Sequence, residues 1–88
     1  MRTEDDNKMT LLEGKLKQTY QLEYIDLEED ISRRLQMLGL TKNASILVLN
    51  RKRDGSMIIK VRGTRFAIGR QYAAGIYVGG VQDAKESD

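Results

Sequence analysis

Eighty-eight residues with no cysteine, no histidine and a net charge of +2 already exclude much. A chain this short buries only about 60% of the surface its unfolded form exposes, which allows one domain with one small core. Without cysteine and histidine it has no disulfide framework, no thiolate metal site and none of the usual nucleophile–base pairs, so carboxylates are its only strong metal-binding side chains.

Residues 1–8, MRTEDDNK, have no apolar periodicity and are expected to form a frayed arm. They are acidic where a secretory leader would be basic and then apolar, and no apolar run approaches the roughly 18 residues of a membrane span; a cytoplasmic protein is expected. From Gln18 to Ile25 the residues alternate, with Tyr20, Leu22 and Tyr24 on one face and Thr19, Gln21 and Glu23 on the other, the period of a half-buried strand. Asp26 and Glu29 then have the spacing of a capping box and place a helix start near Leu27. Leu27, Ile31, Leu35 and Leu38 recur at steps of four, four and three, one face of a helix, with Arg33 and Arg34 off it. Gly39 can take the left-handed backbone that ends a helix at Leu38, and Leu40 can fold back on Leu35 in a Schellman arrangement.

Beyond the polar turn Thr41-Lys42-Asn43, Ser45 to Leu49 is too short and too β-branched for another helix and reads as a central strand. Asp54-Gly55 is a strong hairpin signal, and Met57 to Arg62 is the returning strand, with Met57, Ile59 and Val61 facing one way. Gly63-Thr64 turns the chain into Arg65 to Ile68, Gly69 to Ala74 has room for one helical turn, and Ile76 to Val78 forms the last strand. The domain is expected to span residues 9–78, with residues 79–88 a flexible acidic tail opened by Gly79-Gly80. The pattern predicts an all-β fold, a small barrel of five to six strands with one short inserted helix.

Several of these stretches together resemble the FeoA family, small cytoplasmic accessory proteins of bacterial ferrous iron transport. The resemblance lies in Arg33-Arg34-Leu35, Leu38-Gly39-Leu40 and the strand after them, then Ile59-Lys60-Val61-Arg62-Gly63, Phe66-Ala67-Ile68-Gly69-Arg70, Ala73 and Ile76-Tyr77-Val78. Met9-Thr10-Leu11-Leu12 is similar to the family's short opening segment. Asn43 stands where the family usually has glycine, and the middle hairpin, Arg51-Lys52-Arg53-Asp54-Gly55, lacks the proline often found there. The resemblance implies an SH3-like barrel and a non-enzymatic protein that binds the cytoplasmic part of the ferrous iron permease FeoB and modulates uptake.

Charge is unevenly spread. Thr41 to Val78 holds eight basic residues against one acid, a local +7. That field suits an anionic partner. Arg33 and Arg34 fit either a docking pair, whose guanidinium forks grip carboxylates, or a solvated face paired with Glu29 or Asp30. Arg51, Lys52 and Arg53 are expected at the hairpin tip, either solubilising or steering an acidic partner. The expected partner-binding residues are therefore Arg33, Arg34, Leu38, Gly39, Leu40, Arg51, Lys52 and Arg53, with a groove between Leu38-Gly39-Leu40 and the barrel wall receiving an extended segment. Glu28, Glu29 and Asp30 diverge on consecutive helical positions and suit the helix dipole better than a cation, so no metal, cofactor or catalytic residue is expected. The alternative is a small nucleic-acid-binding barrel driven by the basic half, although no basic-aromatic cluster supports it. Membrane contact is expected only through the permease, and weak homo-oligomerisation is left open.

Overall fold

The computed structural model describes residues 9–81; the expected N-terminal arm and most of the expected acidic tail lie outside the described residues. Six strands are formed: β1 (Met9–Thr10), β2 (Thr19–Ile25), β3 (Ser45–Arg51), β4 (Met57–Val61), β5 (Thr64–Ile68) and β6 (Ile76–Val81). They make one antiparallel sheet in the order β1-β6-β2-β3-β4-β5. A 3-10 turn (Leu11–Glu13) follows β1, helix α1 (Glu29–Met37) joins β2 to β3, and the single turn α2 (Arg70–Ala73) joins β5 to β6. This is the SH3-like, mainly β architecture expected from the sequence.

The alternation read in β4 holds, for Met57, Ile59 and Val61 are fully buried. They meet Ile46 and Val48 of β3 and Ile76 and Val78 of β6 in one core, with the leucines at positions 11, 22 and 40 also at full burial or close to it. No buried polar or charged side chain interrupts this core among the described residues.

The helix begins two residues later than the capping box suggests, with Glu28 as its N-cap and no side-chain cap bond. The sheet takes the residue first. The Asp26 N–H donates to the Gly75 carbonyl at 2.7 Å, which extends the pairing of β2 with β6 and removes Asp26 from the helix. Leu27 therefore packs against the core from the connection and not from the helix. The other end matches its prediction: the Leu40 N–H donates to Leu35 O and the Gly39 N–H to Gln36 O, both at 3.0 Å, with Gly39 at φ 107°. These are the two bonds of a Schellman motif, and the left-handed Gly39 makes them sterically accessible. Asn43 is also left-handed, at φ 72°, in the turn before β3.

Other details of the strands differ as well. The β4–β5 turn is Arg62-Gly63, both left-handed (φ 53° and 81°), because Val61 pairs with Thr64. β6 runs on through Gly79-Gly80 to Val81, since Gln21 pairs with Gly79 and Tyr20 with Val81. In β2 the register against β6 slips between Leu22 and Tyr24. The extra residue of this bulge turns the next side chain off the expected face. Tyr20 and Leu22 are buried while Tyr24 is 44% exposed and stacks on Tyr77, ring centroids 4.7 Å apart.

The hairpin tip is held by its own residues. The Asp54 carboxylate accepts from the Ser56 N–H at 2.9 Å and from the Ser56 hydroxyl at 2.7 Å. These bonds hold the Asp54 carboxyl below its ordinary value. A lowered folded-state value means that the contribution is present above the unfolded value, about 3.9, and is lost as pH falls through the folded one. An NMR titration of the Asp54 carboxyl should give a midpoint below that of an unstructured aspartate; an equal or higher midpoint would show that the Ser56 bonds do not form in solution.

Candidate functional site: a groove at the end of the helix

Pairing between β2 and β3 covers Thr19 to Gln21, and backbone bonds from Asn43 and Ala44 add Leu22. Beyond that point β2 has a strand neighbour, β6, on one side only. On the other side α1 ends, and the chain leaves its Schellman turn through Leu40, Thr41 and Lys42. The space between is an open groove of about 400 Å³, lined by Leu22, Glu23, Tyr24 and Ile25 from β2, Gln36 from α1, and Leu40, Thr41 and Lys42 from the turn. Its floor is apolar and its walls carry Glu23 and Lys42, one charge of each sign. Beside Gln36, Met37 and Leu38 are 81% and 47% exposed, an unusual outlay of apolar surface at a helix end.

A long-range contact braces the groove from behind. The Arg62 guanidinium donates to the Gly39 carbonyl at 3.4 Å and to the Thr41 hydroxyl at 3.3 Å. It thereby places positive charge at the helix C-terminus, where the helix dipole favours it.

Of the residues picked out by sequence, Leu40 lines the groove, Gly39 forms the turn behind it, and Leu38 is exposed beside it. Arg33 and Arg34 are exposed on α1; Arg33 lies 3.0 Å from Glu29 and 4.0 Å from Asp30. Arg51 is not at the hairpin tip. It ends β3, and its guanidinium donates to the carbonyls of Leu12 and Gly14, both at 2.7 Å, tying the opening segment to the sheet. Lys52 and Arg53 are the exposed cations of the tip. The sequence reading missed Leu22, Glu23, Tyr24, Ile25, Gln36, Thr41 and Lys42. The one signal for them was adjacency, since Gln36 and Lys42 flank the Schellman glycine. Among the described residues no group of three or more carboxylates is gathered where it could hold a metal ion, and no helix is long and apolar enough to cross a membrane.

The family profile described as FeoA domain matches residues 9–79, from β1 through the groove to β6. The chain belongs to the FeoA family. Solved structures agree with that placement. A crystal structure of an iron uptake regulatory protein (FeoA) superposes with a TM-score of 0.73 at 32% identity, covering 82% of this chain and 94% of that one. The solution structure of the Chlorobium tepidum FeoA protein gives 0.79 at 28% identity, covering 89% and 74%. Stenotrophomonas maltophilia FeoA, solved with zinc and described as an SH3-domain protein, gives 0.69 at 31% identity, covering 80% and 88%. Comparison with curated protein sequences gives no match.

Proposed function

We propose that this FeoA-family chain is a non-enzymatic accessory protein of ferrous iron uptake, acting in the cytoplasm by binding the cytoplasmic part of an FeoB-type permease. The observation that carries the reading is the groove. Family membership and the naming of a relative as an iron uptake regulatory protein support the transport context. The S. maltophilia relative is described as a proposed ferrous iron transport activating factor, which supports a role through a partner.

In this reading an extended segment of the permease lays an apolar side chain on exposed Tyr24 and half-buried Ile25, with the buried Leu22 and Leu40 holding the surface beneath them. A carboxylate of the partner meets Lys42, and a donor meets Glu23. The Schellman turn and the Arg62 brace fix the floor in advance, so little ordering accompanies binding, which favours affinity. Lys52 and Arg53 at the hairpin tip raise the association rate for an acidic partner at low salt.

Leu40 is fully buried, so its replacement tests folding more than binding. Exposed residues are the cleaner probes. Titration of the purified permease cytoplasmic domain into the protein should show Lys42→Glu and Leu38→Ser each weakening binding by about tenfold, or about 1.4 kcal/mol. Affinity undiminished by both, in variants with an unchanged circular dichroism spectrum, would overturn the groove.

A further inference from the structure

The outer face of β3–β4–β5 carries positive charge and no negative charge: none of the three strands contains an acidic residue. Because Met57, Ile59 and Val61 point inward, Ile58 and Lys60 point outward. In register Lys60 lies between Leu47 on β3 and Arg65 on β5, while Ile58 lies opposite Ala67. Lys60 and Arg65 are thus directly opposed like charges, an arrangement that costs stability in a sheet. Three arginines elsewhere have partners: Arg33 has Glu29, Arg51 has two carbonyls, and Arg62 has Gly39 and Thr41. No described carboxylate lies within ion-pair distance of Lys60 or Arg65.

We infer that this face, separate from the groove, rests on an anionic lipid surface, with Lys60 and Arg65 sharing headgroup phosphates and half-buried Leu47 and Ile58 lying against the interface. Two features favour lipid over nucleic acid. The face has no aromatic side chain on which a base would stack: Phe66 pairs with Ile59 on the inner side and packs against the core, and Tyr24 and Tyr77 stack on each other across β2 and β6. Aliphatic groups also alternate with the cations, the composition that interfacial contact uses.

The test is co-sedimentation of the whole chain with vesicles of phosphatidylcholine alone and with about one-third phosphatidylglycerol. Each basic residue near such a surface contributes roughly fivefold to partitioning, so Lys60→Gln/Arg65→Gln should lose about 25-fold. Removing two opposed like charges does not weaken the sheet, so this variant stays folded and its loss cannot be ascribed to unfolding. Binding of the wild type to the anionic vesicles should fall steeply between about 50 and 300 mM salt. Equal binding to neutral and anionic vesicles, or equal binding by the neutralised variant, would overturn the inference. So would tighter binding to a single-stranded RNA than to the vesicles, or displacement by inorganic phosphate at matched ionic strength, which would indicate a discrete phosphate site. No permease is present in this assay, so its failure and that of the groove reading are separate results.

Discussion

Leu40→Ala should lower the free energy of unfolding by about 2–5 kcal/mol, the range for truncating a fully buried leucine that leaves a cavity behind. Leu40 has no exposed surface, and its N–H closes the wider-spanning bond of the Schellman motif on Leu35 O. It therefore joins the end of α1, the turn to β3 and the core at one point. For a domain of this size the whole stability is of order 5–10 kcal/mol, so the loss is a large share of it. Urea denaturation followed by circular dichroism should show the midpoint falling while the slope stays the same. Leu38→Ala, at a neighbouring but half-exposed position, should cost less than about 1 kcal/mol. If the two substitutions cost the same, Leu40 is not the anchor of the helix end.

Gly75→Ala should cost about 1–3 kcal/mol, for a steric reason and not a conformational one. A Cβ built at this position would lie 2.5 Å from Leu27 Cδ2 and 2.9 Å from the Asp26 carbonyl oxygen. The leucine can turn aside. The backbone oxygen cannot, because the Asp26 N–H is bonded to the Gly75 carbonyl at 2.7 Å and fixes the two chains against each other. Relief requires the connection into α1 to move away from β6, which opens the end of the β2–β6 ladder. The expected readings are a melting temperature lower by at least about 4 °C and faster hydrogen exchange at the Asp26 amide. Gly80→Ala is the control, since nothing lies within 4 Å of a Cβ there, and it should stay within about 0.5 kcal/mol of the wild type. A Gly75→Ala variant as stable as Gly80→Ala would mean that the close approach of Leu27 and Asp26 does not exist in solution.

The features the sequence determined unaided are those whose causes lie within a few residues. The glycine-closed end of α1 depends on one φ angle and two local bonds, and Gly39 with Leu35 and Leu40 supplies all of it. The β3–β4 hairpin follows from Asp54-Gly55 flanked by alternating apolar residues, and the inward face of β4 follows from a period of two. Together with the ordered motifs these led to the SH3-like fold and the FeoA family.

Tertiary structure decided whatever depends on partners far along the chain. Asp26 is a good N-cap residue by its own chemistry, yet Gly75, distant in sequence, claims its N–H for the sheet. Tyr24 belongs to the buried face by alternation, yet a bulge fixed by the register of β6 turns it outward onto Tyr77. Arg51 and Arg62 read as surface cations, and only folding brings them to the carbonyls of Leu12, Gly14 and Gly39. The groove is a gap between one strand and the end of one helix, lined from both. Local propensity acts over a turn or two of chain, whereas register and curvature are settled by the packing of all six strands at once; residues 22–25 and 36–42 therefore face each other for reasons written in neither stretch.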